Sequence, residues 1–266
     1  MKKIIAIVLA LVMSVGAIFT MASCEKKDEN TLVCGVTIIP GLNEKDADGN
    51  WTGFETEFAQ AVGKELGMNV EFKEIKWANK YIELESGKID CVWNGFTANA
   101  AESDGKARSS LVDFSYGYML NQQCVVVRED QLENYTSEAS LEGKRAAVEA
   151  GSAGDTYAQG VKASDIMGMT SQIDTFLQLK SGKVDFLVVD IILAQNMCGK
   201  GSYEDLAIVE DIKLDSEIYA VGFKKGSELT AKVNAAIKKL DENGTLMEIA
   251  KEYKFENVVK VIETIE

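Results

Sequence analysis

Two stretches of this sequence repeat one pattern: residues 84–94 read LESGKIDCVWN, and residues 179–190 read LKSGKVDFLVVD. Each pattern predicts the end of a helix, a glycine that closes it in the left-handed conformation, and then a strand. The apolar run after each glycine is typical of a strand that is covered on both faces. The repeat predicts two α/β lobes of the same kind, although such units are also common in single α/β domains.

Polar groups follow both predicted strands, at the ends where open α/β sheets bind their ligands. The first strand leads into Asn94, Gly95 and Thr97, which offer backbone groups and a hydroxyl, and the second ends at Asp190 with a carboxylate. If the two lobes face each other, these groups meet in one cleft.

The composition is that of a globular protein and excludes several classes of function. The chain has 266 residues, which favours one or two domains, and its formal charge of −14 argues against nucleic acid and anionic lipid surfaces as partners. It contains no histidine and no CxxC pair, so we expect no metal site. Neither a P-loop nor a GxGxxG motif is present, and no cofactor is expected.

The N-terminus predicts a targeting segment. Lys2 and Lys3 precede an apolar run over residues 4–19, and Cys24 follows the small residues Ala22 and Ser23. This arrangement resembles a bacterial lipoprotein signal, with residues 1–23 removed, Cys24 acylated and residues 24–30 as a polar tether. The predicted location is extracytoplasmic and lipid-anchored, at the cell surface or in a periplasm. An uncleaved membrane anchor is the alternative.

The other cysteines lie in apolar surroundings. Cys34 and Cys91 fall in predicted strands of the first lobe, where they are candidate neighbours. We expect buried thiols at these positions and at Cys124 and Cys198, with a disulfide as the alternative for the first pair.

A series of short motifs gives the chain its resemblance to a family. In order, they are Gly53-Phe54-Glu55, Trp77, Ser86-Gly87-Lys88-Ile89-Asp90, Gly95-Phe96-Thr97, Arg108, Val112-Asp113-Phe114-Ser115, Gly151-Ser152, Val189-Asp190 and Asn243-Gly244-Thr245. From Leu32 to about Phe255 the sequence resembles the family 3 extracellular solute-binding proteins, which bind polar amino acids for ABC importers. The resemblance implies a type II periplasmic-binding-protein fold, in which two doubly wound α/β lobes are joined by two crossing strands. Lobe one would comprise residues 31–118 and 220–266, lobe two residues 123–215, and the crossings residues 119–122 and 216–219.

The resemblance also implies roles for individual residues. Arg108 would bind the α-carboxylate of a free amino acid through parallel hydrogen bonds, and Asp190 would accept from the α-ammonium. Trp77 would pack on the ligand side chain, and Glu149 would favour a cationic or hydrogen-bond-donating one. The remaining predicted contacts are Thr37, Asn94, Gly95, Thr97, Ser152 and the N–H of Ala153. From the residues alone, a surface arginine, a helix-capping aspartate, a core tryptophan and an exposed Glu149 are the alternatives.

The chain departs from the family pattern at two places near this site. Residues 98–107 lengthen the segment between Thr97 and Arg108. The loop around Pro40 lacks the aromatic residue that is usual there, which puts a second aromatic wall in doubt.

The resulting prediction is a binding protein, not an enzyme, that captures a free amino acid, cationic or polar, and delivers it to an ABC permease. We expect a monomer with a lipid anchor in the membrane. One alternative is a secreted dehydratase-like enzyme on the same scaffold, which would need an acid or base such as Glu149 or Asp190. The other is a ligand-sensing module, which would require a separate receptor protein.

Overall fold

The computed structural model describes residues 30–265, and residues 1–29 and 266 lie outside the described part of the chain. The predicted signal segment, residues 1–23, and the predicted acylation site, Cys24, therefore fall outside it. Within residues 30–265, no helix combines the length and the apolar character that crossing a membrane requires.

Strands and helices alternate along most of the described chain. The strands are β1 (Thr31–Val36), β2 (Glu44–Lys45), β3 (Trp51–Thr52), β4 (Asn69–Glu74), β5 (Cys91–Val92), β6 (Val112–Arg128), β7 (Arg145–Glu149), β8 (Asp165–Met169), β9 (Phe186–Asp190), β10 (Leu206–Ile208), β11 (Ser216–Lys224) and β12 (Val259–Ile262). The α-helices are α1 (Phe54–Leu66), α2 (Lys80–Glu85), α3 (Arg108–Leu111), α4 (Ala153–Gly160), α5 (Gln172–Lys180), α6 (Ile191–Met197), α7 (Leu229–Glu242) and α8 (Thr245–Glu252). Short 3-10 helices lie at Trp77–Asn79, Glu129–Asn134, Glu138–Leu141 and Gly201–Tyr203.

Ten strands form one continuous sheet with two halves that share the long strand β6. In the first half, β4, β1 and β5 are parallel, and β11 runs antiparallel to both β5 and the first part of β6. In the second half, β8, β7 and β9 are parallel, and both β9 and β10 run antiparallel to the last part of β6. The parallel strands of each half are joined through helices, as the doubly wound pattern predicts.

Strand β6 passes from one half of the sheet to the other. Up to Gln122 it pairs with β11, and from Gln123 onwards it pairs with β9. The two predicted crossings, residues 119–122 and 216–219, pair with each other in antiparallel register. Their role as a hinge, and the division of the chain into two moving lobes, remain predictions.

The two repeated units have the same backbone conformation at their glycines. Gly87 and Gly182 adopt left-handed conformations, with φ angles of 69° and 74°. The following strand is shorter than expected in the first unit, where β5 comprises only Cys91–Val92. In the second unit β9 extends over Phe186–Asp190.

The aspartate three residues after each glycine makes the same hydrogen bonds to backbone groups in both units. Asp90 Oδ2 accepts from the N–H of Val33 in β1 (2.8 Å), and Asp185 Oδ2 accepts from the N–H of Arg145 in β7 (2.9 Å). The N–H of each aspartate donates back to the carbonyl oxygen of the same partner at 2.8 Å. The repeat therefore fixes each unit to the first parallel strand of its own half of the sheet.

Cys34 and Cys91 are neighbours, as the sequence suggested. They pair directly across β1 and β5, both are fully buried, and their Sγ atoms lie 3.6 Å apart. This separation exceeds the S–S bond length of about 2.05 Å, so the structure holds the two residues as thiols.

Apolar side chains cover the sheet and support the region in which its parallel strands end. Phe58 of α1 packs edge-on against Trp93, with ring centroids 5.4 Å apart, and against Tyr118 at 5.5 Å. A separate buried cluster contains Trp77, Leu84, Ile89, Val92, Phe96 and Val112. One member of this second cluster, Trp77, also lines the cavity described below.

Candidate ligand-binding site

A small cavity, with a volume of only about 10 Å³, lies where strands from both halves of the sheet end. It is lined by Ile39, Trp77, Asn94, Gly95, Thr97, Arg108, Gln123, Glu149, Ser152, Ala153, Gln172 and Asp190. All predicted contact residues except Thr37 are among them, and Ile39, Gln123 and Gln172 are additions that the sequence did not suggest. In open α/β sheets, ligands bind near the carboxyl ends of the parallel strands. The carboxyl ends of β5, β7 and β9 all lead to this cavity.

Thr37 does not line the cavity. Its N–H and its hydroxyl both donate to Asn94 Oδ1, at 2.9 and 2.6 Å, and Asn94 Nδ2 donates to the Thr37 carbonyl oxygen at 2.8 Å. In this structure Thr37 holds Asn94 in the cavity wall, and its role as a direct ligand contact stays a prediction.

The backbone of Gly95 is fixed by a buried carboxyl group. Glu55 Oε1 accepts from the Gly95 N–H (2.8 Å) and from the Tyr118 hydroxyl (2.5 Å), and Oε2 accepts from Asn43 Nδ2 (2.6 Å). Burial raises the pKa of Glu55 to about 7. Because its N–H is engaged, Gly95 has only its carbonyl oxygen to offer a ligand. Its φ of 55° and the ring of Tyr219, 3.0 Å from where a Cβ would lie, require glycine here.

Arg108 is a buried cation with one donor group unused. Its side chain is 1% exposed, Nε donates to Glu102 Oε1 at 2.9 Å, and Nη1 donates to the Thr97 carbonyl oxygen at 3.3 Å. Nη2 is buried and has no hydrogen-bond partner. A buried donor without an acceptor is costly, so Nη2 is the atom best placed to bind an acceptor in the cavity.

A second buried cation, Lys80, lies beside Arg108. The sequence pattern did not predict it as a site residue. Its Nζ donates to the Gly151 carbonyl oxygen at 3.0 Å and lies 3.6 Å from Glu102 Oε1. It also lies over the rings of Trp77 and Tyr81, at 5.1 and 4.6 Å from their centroids. Burial lowers the pKa of Lys80 to about 8, and the charge of Glu102 opposes this shift. Lysine is rarely buried, so its sequence pattern indicates a surface residue.

Asp190 is held by side-chain amides at the opposite wall. Its Oδ1 accepts from Asn121 Nδ2 (3.0 Å) and Gln123 Nε2 (2.5 Å), and its Oδ2 accepts from Gln172 Nε2 (2.5 Å). The amides of Asn121 and Gln123 also donate to Glu217 Oε2, at 2.7 and 3.1 Å. Burial raises the pKa of Asp190 and raises the pKa of Glu217 to about 7. A cation in the cavity would stabilise the ionised form of both groups.

Glu149 is buried at the end of β7, which makes the alternative of an exposed Glu149 wrong. Only 3% of Glu149 is exposed, and its Oε1 has no hydrogen-bond partner. Burial raises the pKa of Glu149 to about 8; the charge of Asp190 adds to the rise, and Lys80 opposes it. A ligand donor beside Oε1 would satisfy this atom and favour the carboxylate.

The turn before α4 places Ser152 and Ala153 in the cavity lining. Gly151 has a φ of 74°, and the hydroxyl oxygen of Ser152 caps the helix by accepting from the Asp155 N–H at 3.1 Å. Ala153 is the first residue of the helix, so its N–H has no intrahelical acceptor. This end of the helix suits a carboxylate.

Trp77 provides the apolar wall of the cavity. Its ring packs edge-on against Phe96, with centroids 5.2 Å apart, so it belongs to the core cluster as well as to the cavity lining. Ile39, close to Pro40, lines the cavity from the loop that lacks the expected aromatic residue. The second wall is therefore aliphatic.

The arrangement suits a charged organic ligand better than a metal ion. Two cations, Arg108 and Lys80, face three carboxyl groups, Glu149, Asp190 and Glu217, within or beside the cavity. In residues 30–265, no set of three or more His, Cys, Asp or Glu side chains is placed to hold a metal.

Comparison with known sequences agrees with this geometry. The model of the bacterial extracellular solute-binding proteins, family 3, matches residues 32–257. The chain belongs to this family. Both the family and the solute-binding function that the ordered motifs predicted are confirmed.

Relatives with curated descriptions and solved structures give the same picture. The chain is 30% identical over 243 residues to the L-cystine-binding protein TcyA of Bacillus subtilis (strain 168), covering 90% of this chain and 86% of that protein. An ancestral arginine-binding protein bound to arginine matches with a TM-score of 0.76 and 30% identity, covering 84% of this chain and 98% of that one. The ancestral amino acid-binding protein AncCDT-1, described as a precursor of cyclohexadienyl dehydratase, matches with a TM-score of 0.74 and 26% identity, covering 84% and 95%. The predicted periplasmic-binding-protein fold is confirmed.

Proposed function

We propose that this protein captures a free amino acid whose side chain ends in a positively charged group and delivers it to an ABC importer. The observation that carries the proposal is a pair of buried, unpartnered atoms of opposite character in one cavity, Arg108 Nη2 and Glu149 Oε1. The first requires an acceptor and the second a donor, and each is costly if left unpaired. An amino acid with a cationic side chain supplies a carboxylate for one and a donor for the other.

The names of the relatives support this class of ligand. Arginine carries a guanidinium at the end of its side chain, and cystine carries a second ammonium group far from its first carboxylate. Either ligand could place a cationic nitrogen beside Glu149 while Arg108 holds a carboxylate. The excess of buried carboxyl groups over buried cations around the cavity favours a ligand that brings positive charge.

Most of the lining residues then have a defined task. Arg108, the Thr97 hydroxyl, the Ser152 hydroxyl and the Ala153 N–H bind the α-carboxylate, and Asp190 accepts from the α-ammonium. The Gly95 carbonyl oxygen and Asn94 border the ammonium, and Trp77 packs on the side chain. Gln123 and Gln172 orient Asp190 through their amide groups.

Binding requires the two halves of the molecule to separate and close. The charged side chains that line the cavity are almost fully buried, so a ligand can enter only when the walls move apart. The two walls are connected through β6 and β11, whose paired segments, residues 119–122 and 216–219, are the hinge in this proposal. Closure then places the ligand charges against partners away from water.

A thermal-shift screen over the twenty amino acids and L-cystine tests the ligand class. A ligand at one hundred times its Kd stabilises a protein by about 2.7 kcal/mol. For a chain of this size that corresponds to a rise in Tm of roughly 5–10 °C. We expect the largest shifts from L-arginine, L-lysine or L-cystine, and a larger shift from L-glutamine or L-leucine would contradict the cationic class.

Binding without chemical conversion is part of the proposal. A raised carboxyl pKa, as in Glu149, also suits an acid catalyst, and one matched structure is a precursor of a dehydratase. The relatives with binding functions and the pairing requirements of the cavity support a role in capture. Recovery of an unaltered ligand by mass spectrometry after long incubation is the expected result, and any converted product would contradict it.

A lipid anchor at Cys24 and a monomeric state complete the proposal. The support for the anchor is the basic, apolar and small-residue pattern before Cys24. In cells that express the full chain and are fed radiolabelled palmitate, the wild-type protein is expected to incorporate the label and the Cys24→Ser variant to incorporate none. A wild-type protein without label in the membrane fraction would argue for an uncleaved anchor instead.

A further inference from the structure

We propose that Glu102, in the segment 98–107 that lengthens the chain before Arg108, is a positioning residue for the two buried cations of the site, Arg108 and Lys80. The inference rests on the proposed function, which gives Arg108 the ligand carboxylate. It adds a residue that the resemblance to the family did not suggest.

One oxygen of Glu102 lies among three donors. Glu102 Oε1 accepts from Arg108 Nε at 2.9 Å and from the Tyr81 hydroxyl at 2.5 Å, and Lys80 Nζ lies 3.6 Å away. Its side chain is 17% exposed, so these interactions are partly shielded from water. Charge-assisted hydrogen bonds of this kind are stronger than neutral ones.

The bond to Nε decides which edge of the guanidinium faces the cavity. Glu102 holds Nε, and the Thr97 carbonyl oxygen holds Nη1. With these two nitrogens bonded, Nη2 is the nitrogen left for a ligand. Without Glu102, the guanidinium keeps a single hydrogen bond, to the Thr97 carbonyl oxygen, and can rotate out of the binding geometry.

The inserted segment is built to hold Glu102 in this position. The Glu102 N–H donates to the Lys106 carbonyl oxygen (2.9 Å), and the Glu102 carbonyl oxygen accepts from the Gly105 N–H (2.8 Å). Ala101 and Ala107 form an antiparallel bridge at the base of the turn. The segment is therefore a closed hairpin that directs one carboxylate back toward Arg108.

The second cation connects this hairpin to the opposite wall. Lys80 Nζ donates to the Gly151 carbonyl oxygen, in the turn that precedes Ser152 and α4. The charged groups that act on Lys80 are Glu102, Arg108 and Glu149, and of these Glu102 is the nearest carboxylate with a direct contact. Removing its charge would leave a buried ammonium beside a guanidinium with less compensation.

The test compares Glu102→Gln with a matched substitution in the same hairpin, Asp104→Asn. Asp104 has a side chain that is 53% exposed and pairs with Lys106 at 2.7 Å, away from the cavity lining. With L-arginine and L-cystine as probes in calorimetry, we expect Glu102→Gln to weaken binding at least tenfold and Asp104→Asn to change it less than twofold. The conservative variant Glu102→Asp should recover part of the loss.

A pH profile separates positioning from a general loss of stability. In Glu102→Gln, Lys80 loses the carboxylate that raises its pKa, so it sheds its proton more readily between pH 6.5 and 8.5. In this proposal a protonated Lys80 adds positive charge beside Arg108, where the ligand carboxylate binds, so the ratio of wild-type to variant affinity should increase with pH across this range. The ratio should stay constant when both proteins also carry Lys80→Met.

The outcomes distinguish this inference from the proposed function. Unchanged affinity in Glu102→Gln, when Arg108→Ala abolishes binding, would overturn the positioning role and leave the proposed function intact. Equal losses in Glu102→Gln and Asp104→Asn, or a ratio independent of pH, would also overturn it. If the wild-type protein bound neither probe nor any amino acid in the screen, both proposals would fall.

Discussion

The two repeated units, residues 84–94 and 179–190, share a scaffold and differ in the chemistry at its end. Both close a helix with a left-handed glycine and attach an aspartate to the first parallel strand of their half. The first then ends at Asn94, which Thr37 holds through three hydrogen bonds, whereas the second ends at Asp190, which amides of Asn121, Gln123 and Gln172 hold. The same local fold therefore presents a neutral amide on one side and a carboxylate on the other.

This difference extends to the charges that each half brings to the cavity. The half that contains the first unit supplies the cations Arg108 and Lys80, and the half that contains the second supplies the carboxyl groups of Asp190 and Glu149. In the proposed function, these walls would receive a zwitterion with its carboxylate toward Arg108 and its ammonium toward Asp190. The comparison teaches that two copies of one scaffold can end in different polar groups, while the segments beside them add charges of opposite sign.

The largest effect is expected from removing the cation. Arg108→Ala should weaken amino-acid binding by about 3–5 kcal/mol, or at least a hundredfold, because a buried charge loses its partner. Calorimetry measures the affinity, and circular dichroism checks the fold. Arg145→Ala is the matched control in the second half, since Arg145 is 45% exposed and pairs with Asp185 outside the cavity. Undiminished affinity in Arg108→Ala would remove this residue from the site.

A smaller loss is expected at the carboxylate end of the second unit. Asp190→Asn should weaken binding at least tenfold, about 1.4 kcal/mol, because the α-ammonium loses its charged acceptor. Asp185→Asn, five residues earlier on the same unit, should leave the affinity unchanged. If both variants bound as well as the wild type, the ammonium would have to be held elsewhere.

Glu149 gives a test that depends on pH and on the ligand. Its pKa of about 8 means that the carboxyl group is mostly protonated at pH 6, and a cationic ligand binds the ionised form. Affinity for L-arginine should therefore rise from pH 6 to about pH 8, by up to about tenfold per unit. Glu149→Gln should flatten this profile and weaken L-arginine more than L-glutamine. Equal losses for the two ligands would reject a role in selectivity.

The smallest effect tests the equivalence of the two scaffolds. Gly87 and Gly182 have similar positive φ angles, and no atom lies within 4 Å of where a Cβ would be added. Gly87→Ala and Gly182→Ala should each destabilise the protein by about 1 kcal/mol, from the cost of a left-handed alanine. Urea unfolding measures both. A cost confined to one glycine would show that the two turns are not equivalent.

The fold was more predictable than the site because it rests on local patterns. Gly87, Gly182 and the apolar runs after them define the units, and the ordered motifs identify the family that the comparisons confirm. The ends of the strands also led to Asp190 and Asn94. The same reasoning does not place the Thr37 hydroxyl, because a hydroxyl at a strand end can face the cavity or a neighbouring side chain, and here it donates to Asn94.

The residues that were missed act through partners distant in the sequence. Gln172 is eighteen positions before Asp190, and Lys80 contacts Glu102 and the carbonyl oxygen of Gly151. No spacing rule connects such pairs, and an isolated glutamine or lysine normally indicates a solvated surface. Only the packing of the two halves brings them together.

The position of β11 in the sheet has a consequence for the order of assembly during synthesis. This strand lies between β5 and β6, yet its residues, Ser216–Lys224, emerge long after both. The second half of the sheet needs only residues up to Ile208, the end of β10. A nascent chain can therefore complete its later half first, while the earlier half waits with an open edge between β5 and β6. That exposed edge is where a chaperone would be of most use before the chain is finished.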